Sequence, residues 1–318
     1  DNSSRRTAIV KYNAAIEAMM STEFTSTEER FEQASRVLAE LEMEKSAGMH
    51  KGAVSAREIG IRWSYELEER SQREHGKVVG FTTGFRDLDT AMYPKGIMPG
   101  ALVCVGARPK MGKSSFLSKW VTHTTLKEKK PVVVFSLEMT NIQLWERMVS
   151  QQSNVDANTF WIPKADQSLM NKAYAVAGEL GLSNLYIDDT PGISLSHVVS
   201  EARRIKRKHG CMGLIAIDYL TLMKAEKAER NDLAYGNITK ALKNLAKELG
   251  CPVLLLTQLN RMLEQRPDKR PTPSDSRDTG QIEQDCDVWI GLYRDAVYND
   301  KLSNELRDFA EVIVRLNR

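Results

Sequence analysis

Apolar residues fall into two kinds of pattern along this 318-residue chain. In the first 75 or so residues they recur at helical spacing. Ile9, Tyr12, Ile16 and Met19 share one helical face. Phe31, Ala34, Leu38 and Leu41 share another, behind a Ser26/Glu29 capping box. Gly48 and Gly52 interrupt the pattern, and a third predicted helix covers Ser55 to Ser71, with Ile59, Trp63 and Leu67 in one stripe. The first proline is Pro94, as expected of a helical start. Three such helices bury little of their own surface, so they are expected to lean on other elements or on other subunits.

Beyond Gly76 the texture changes to short apolar runs separated by helical stretches. The runs are Leu102–Val105, Val132–Phe135, Leu185–Ile187, Leu214–Ile217, Val253–Leu256, Val288–Leu292 and Val312–Val314. Helical patterns cover Ser114–Leu126, Thr140–Gln151 and Asp232–Leu249. This alternation predicts an α/β fold, a mainly parallel sheet with helices on both faces. Glu264 to Gly280 holds three prolines with four basic and four acidic residues and reads as a long loop. Loops of that length in a compact domain usually carry function. No internal repeat is present.

Charge adds one distinction. The net value is +3, which does not announce a nucleic-acid partner. Residues 1–75 hold 11 basic and 14 acidic residues, and the remainder 34 and 28. The acidic excess therefore belongs to the helical start, and the rest carries +6. The longest apolar runs have strand length, so no membrane span is expected. Nothing at the start reads as a signal peptide, and a beginning at Asp1 suggests a fragment. Cys104, Cys211, Cys251 and Cys286 are widely spaced without a C-x-x-C, which argues against structural zinc and for buried, reduced thiols in a cytoplasmic protein. His123, His197 and His209 show no metal spacing.

The strongest chemical signal is Ala107-Arg-Pro-Lys-Met-Gly-Lys-Ser114, between a predicted strand and a predicted helix. It fits the phosphate-binding loop, with Ala107 in place of the usual first glycine and Gly106 just before it. Backbone N–H groups and a helix N-terminus cradle phosphates in such a loop. The candidate nucleotide-binding residues are Ala107, Arg108, Pro109, Lys110, Met111, Gly112, Lys113, Ser114 and Ser115. Lys113 would hold the β- and γ-phosphates of ATP, and Ser114 would ligate Mg²⁺. In Leu214-Ile-Ala-Ile-Asp218, Asp218 ends an apolar strand, where it would hold the same Mg²⁺ or merely close the strand. Glu138 in Phe135-Ser-Leu-Glu-Met139 could orient water against the γ-phosphate, or be a solvated residue before a helix capped by Thr140 and Gln143. Gln258, in Leu256-Thr-Gln-Leu-Asn-Arg261, follows a buried strand and could sense the γ-phosphate.

Taken in order, A-R-P-K-M-G-K-S, F-S-L-E-M, I-D-Y-L, T-Q-L-N-R and S-R-D-T-G-Q-I-E-Q-D-C-D resemble the DnaB-type replicative helicases of bacteria or phages. Thr83-Gly-Phe-Arg-Asp-Leu-Asp89 is similar to their lead-in, and the resemblance covers roughly residues 55 to 318. It implies a RecA-like motor that assembles as a homo-hexameric ring on single-stranded DNA, moves 5′ to 3′, and works with a helicase loader and a primase in the cytoplasm. It implies three segments, a helical N-terminal remnant (1–52), a linker helix (53–75) that docks on a neighbouring subunit, and the ATPase motor (76–318). Glu138 becomes the catalytic glutamate, Asp218 the Walker B residue and Gln258 the coupling residue. DNA contacts fall on Arg277, Asp278 and Gly280, with more near Lys224 to Arg230. Glu311-Val-Ile-Val-Arg-Leu-Asn-Arg318 is similar to the family's E-x-I-I-x-K-Q-R segment. Arg318 then matches the arginine finger given in trans; Leu316 replaces a lysine that Arg315 could supply. The resemblance also implies that the chain stops before the family's final strand.

The residues themselves argue less for DNA. The Glu264–Gly280 loop is charge-balanced, although its glycine could offer N–H groups to phosphates. Arg203-Arg-Ile-Lys-Arg-Lys208 reads as a solvated helix face. Trp145 and Trp289 read as core, not as base-stacking platforms. A recombination or repair ATPase with the same core, and a nucleotide-gated assembly protein without turnover, are the alternative functions.

Overall fold

The computed structural model describes residues 16, 17, 19, 20, 53–73, 76–218, 231–276, 280–299 and 301–318. Most of the first two predicted helices, the Lys224–Arg230 segment, Arg277 and Asp278 lie outside the described residues. The chain divides into two compact units, Asp1–Arg73 and Glu74–Arg318. In the first, helix α1 (Ala56–Ser71) starts at Ser55, whose hydroxyl accepts from the Glu58 N–H. Ile59, Trp63 and Leu67 all lie exposed on it.

The second unit is a three-layer α/β fold. Its helices are α2 (Arg86–Ala91), α3 (Lys113–Thr122), α4 (Asn141–Ser153), α5 (Gln167–Gly181), α6 (Leu195–His209), α7 (Asn231–Leu249), α8 (Gly280–Asp285) and α9 (Asn304–Arg307). Its strands are β1 (Leu102–Ala107), β2 (Val132–Ser136), β3 (Leu185–Asp188), β4 (Leu214–Asp218), β5 (Val253–Gln258), β6 (Val288–Tyr293) and β7 (Glu311–Asn317). They form one sheet in the order β3-β2-β4-β5-β1-β6-β7. All neighbours are parallel except β6 and β7. Each of the seven apolar runs is a strand, as expected.

The central strands are apolar throughout because both of their faces are covered. Alternate residues go to opposite sides. Val103, Val105, Val134, Ala216 and Leu254 pack with Leu117, Trp120, Leu144 and Met148 from α3 and α4. Cys104, Val133, Ile215, Ile217 and Leu255 pack with Val198, Ile205, Leu242 and Leu245 from α6 and α7. Trp289 is fully buried and Trp145 packs against the first cluster. Along the basic run of α6, Arg204, Arg207 and Lys208 are exposed, as a solvated face requires, whereas Arg203 is largely covered where it pairs with Glu248 of α7. Cys104, Cys251 and Cys286 are buried; Cys211 is exposed, contrary to expectation, because it follows the helix-ending Gly210 outside the sheet.

Between β5 and α8 the expected long loop contains two short 3₁₀ turns, Arg261–Gln265 and Pro273–Asp275. Leu263 is buried there, and Asp275 accepts hydrogen bonds from Thr272 and Arg266, so the segment is tied down.

β1 fits closely at its far end. A Cβ on Gly106 would lie 2.8 Å from both Leu259 Cδ2 and Trp289 Cζ2. Neither buried side chain can yield without disturbing the core. Gly106→Ala is therefore expected to lower unfolding free energy by about 1–3 kcal/mol in urea titration; an unchanged midpoint would contradict this packing.

Candidate functional site

β1 ends at Ala107, which is buried, so the turn proper begins at Arg108. Lys110 and Gly112 both take left-handed backbone angles, φ 68° and 98°. Gly112 is the N-cap of α3, offers no side-chain cap, and has no atom within 4 Å of the place a Cβ would occupy. The first N–H groups of α3 therefore face an open cradle suited to an anion. Met111 is buried beneath the loop, where its sulfur accepts from the Arg294 N–H at 3.2 Å. Pro109, Lys110 and Ser115 are exposed, and the Ser115 carbonyl accepts from Gln151 Nε2. The Arg108 side chain turns away from the cradle, toward Leu259 and Glu264.

Lys113 opens α3 and Asp218 closes β4. Burial pulls the Lys113 ammonium below its ordinary range, against the Asp218 and Glu138 carboxylates, which favour its charge. Asp218 is only 2% exposed. Burial pushes its pKa up to about 6, opposed by Lys113, by Arg147 from α4 and by a hydrogen bond from Ser114, and reinforced by Glu138. Its Oδ1 atom is buried with no hydrogen-bond partner among the described residues. A buried carboxylate with an unused oxygen, next to a serine hydroxyl, suits a hard divalent cation.

Glu138 is exposed just beyond β2. The pairing of Ser136 with Asp218 and the 2.7 Å bond from the Leu137 N–H to the Asp218 carbonyl bring it to the same edge. The Thr140/Gln143 capping box also forms, but around Thr140, and it makes no use of Glu138. Gln258 ends β5 directly opposite Ala107.

Arg315 and Arg318 do not join this group within one chain. Arg318 follows β7, and its N–H donates to the Asp287 carbonyl beside the first residue of β6. Its guanidinium donates to the Gln284 carbonyl at 2.9 Å. That is the amino end of the parallel strands, about 20 Å of strand from the loop after β1. Arg315 donates to the Pro271 carbonyl at 3.1 Å. Gly280 opens α8, while Arg277 and Asp278 lie outside the described residues. Sequence reasoning missed Arg147 and the Arg108–Glu264 pair. Arg147 reads locally as one charge on the exposed face of an amphipathic helix, so nothing in the spacing marks it.

Residues 80–318 match the family described as the DnaB-like helicase C-terminal domain. The chain belongs to this family. It is 42% identical to the replicative DNA helicase DnaB of Haemophilus influenzae over 247 residues, 77% of this chain and 52% of that protein. The Geobacillus stearothermophilus DnaB is 36% identical over 278 residues, 87% of this chain and 60% of that one. The chain thus spans about half the length of the curated relatives it matches. A solved structure described as an ATPase domain superposes with a TM-score of 0.76 at 31% identity, covering 84% of this chain and 92% of its own. A DnaB-like replicative helicase, described with its interactions with primase, superposes with a TM-score of 0.79 at 29% identity, covering 99% of this chain and 71% of its own. The RecA-like, mostly parallel architecture expected of the helicase domain is therefore shown. No described helix is long and apolar enough to cross a membrane, and no described cluster of His, Cys, Asp and Glu could hold a metal on its own.

A carboxylate whose pKa is raised by folding stabilises the protein only while protonated. In the nucleotide-free helicase domain, that contribution is present below about pH 4 and is lost as pH rises through about 6. Relative to Asp218→Asn, the wild type should lose about 3 kcal/mol of stability over that interval in denaturant titrations. Parallel pH profiles for the two proteins would contradict the raised pKa.

Proposed function

We propose that the chain is the motor of a replicative DNA helicase, coupling ATP hydrolysis between subunits to translocation on single-stranded DNA and unwinding of the duplex. The observation that carries this reading is the convergence of Lys113, Asp218 and Glu138 at one sheet edge, with an unused buried oxygen on Asp218, inside a DnaB-like helicase domain. Residues 76–318 form the motor, 53–75 the linker helix and 1–52 a remnant of a helical N-terminal domain. The working form is a cytoplasmic homo-hexamer, with a loader and a primase as further partners.

In this reading the N–H groups from Lys110 to Ser114 hold the ATP phosphates, and Lys113 neutralises the β- and γ-phosphates. Ser114 and Asp218 hold Mg²⁺, which supplies charge neutralisation on the phosphates when bound. Glu138 orients water and accepts its proton. Gln258, at the end of β5, senses the γ-phosphate. Arg318 acts on the nucleotide of the neighbouring copy. Arg277, Asp278 and Gly280 contact the DNA backbone.

A strand-displacement assay on forked DNA tests the reading directly. Wild type should separate the strands with ATP and Mg²⁺. Glu138→Gln should bind nucleotide but lose turnover by at least about 100-fold, and displacement with it. Displacement by Glu138→Gln at the wild-type rate, or none by the wild type, would overturn the proposal.

A further inference from the structure

Arg108 lies within the phosphate-binding loop yet its side chain leaves it. Its Nε donates to Glu264 Oε1 at 2.7 Å and its Nη1 to the Leu259 carbonyl at 2.8 Å. Leu259 in turn donates its N–H to the Ala107 carbonyl at 3.3 Å. One residue of the loop thus grips two points of the segment that follows Gln258. That segment is itself cross-tied. Leu259 bridges to Ser276, and the Asn260 N–H donates to the Asp275 carbonyl at 2.8 Å. Arg266 donates to Asp275 at 2.8 Å and to the Arg270 carbonyl at 3.0 Å. Bonded contacts thus link Leu259, Asn260 and Arg266 to Asp275 and Ser276.

The two halves of the grip differ in burial. The Arg108 side chain is 10% exposed and that of Glu264 41%. The guanidinium is fixed against the backbone, while the carboxylate stands at the surface and can release it at moderate cost. The positive charge of Arg108 is also felt at Lys113. Phosphates drawn to Lys113 bring negative charge that competes with Glu264 for the same guanidinium.

We propose that the Arg108–Glu264 pair transmits the nucleotide state of the phosphate loop to residues 259–276, with Glu264 as the positioning residue. This rests on the helicase reading given above. It adds a route that starts from the side chain of Arg108, separate from Gln258.

The test compares Glu264→Gln with wild type for ATP turnover with and without single-stranded DNA, and for DNA affinity. Glu264→Gln keeps the shape and removes the charge, so the fold is retained. DNA stimulation should fall about fivefold or more, with basal turnover and DNA affinity within about twofold of wild type. Glu264→Asp should restore part of the stimulation. In hydrogen exchange, an ATP analogue should alter protection of residues 261–276 in wild type and not in Glu264→Gln. Undiminished stimulation in Glu264→Gln, or loss explained wholly by weaker DNA binding, would overturn the proposal while leaving the helicase reading in place. A wild type whose turnover ignores DNA would instead overturn the helicase reading, and this proposal with it.

Discussion

Asp218 ends a strand covered on both faces, and a carboxylate there costs free energy unless a cation meets it. Lys113 meets it in part, at the expense of its own hydration, and one Asp218 oxygen stays without a partner among the described residues. The arrangement is thus incomplete in a particular way, short of positive charge between Ser114 and Asp218. Packing beneath that end of the sheet holds it in place. The alternation along β1, β2, β4 and β5 covers both faces of the sheet. Gly106 lets Leu259 and Trp289 close on β1 just before the loop. Buried Met111 fixes the loop from below.

The same sheet places the two halves of the proposed chemistry apart. The loop, Asp218, Glu138 and Gln258 lie at the carboxyl ends of parallel strands. Arg318 lies at the amino end, because β7 runs antiparallel to β6 and returns to that edge. A single copy cannot bring Arg318 to its own loop without dismantling the sheet. If Arg318 acts on a nucleotide, that nucleotide belongs to another copy.

Much of this is legible in the chain itself. Continuous apolar runs mark strands buried on both faces, and their alternation with helical spacing gives the parallel sheet. The phosphate loop is legible because its glycine and lysine answer to local backbone geometry. Other features are not, for reasons of distance. Asp218 is marked only by ending a strand; the burial that raises its pKa comes from the folded surroundings, and Lys113 of α3 and Arg147 of α4, both distant in sequence, oppose that rise. Glu264 is 156 residues from its partner Arg108, and its loop is charge-balanced, so no local pattern distinguishes it. Cys211 shows the opposite error, since proximity to an apolar run does not amount to burial. The antiparallel pairing of β7, which decides where Arg318 sits, has no signature in a seven-residue strand.

The central claim is that the chemistry is completed between copies. Mixing Lys113→Ala with Arg318→Ala protein tests it, since each parent lacks a different half of every site. An arginine finger contributes about 10³–10⁵ in rate, so each parent alone should be almost inactive. In an equal mixture about a quarter of the interfaces regain an intact loop facing an intact Arg318, and ATP turnover should return in that proportion. Absence of rescue at every mixing ratio would contradict the account.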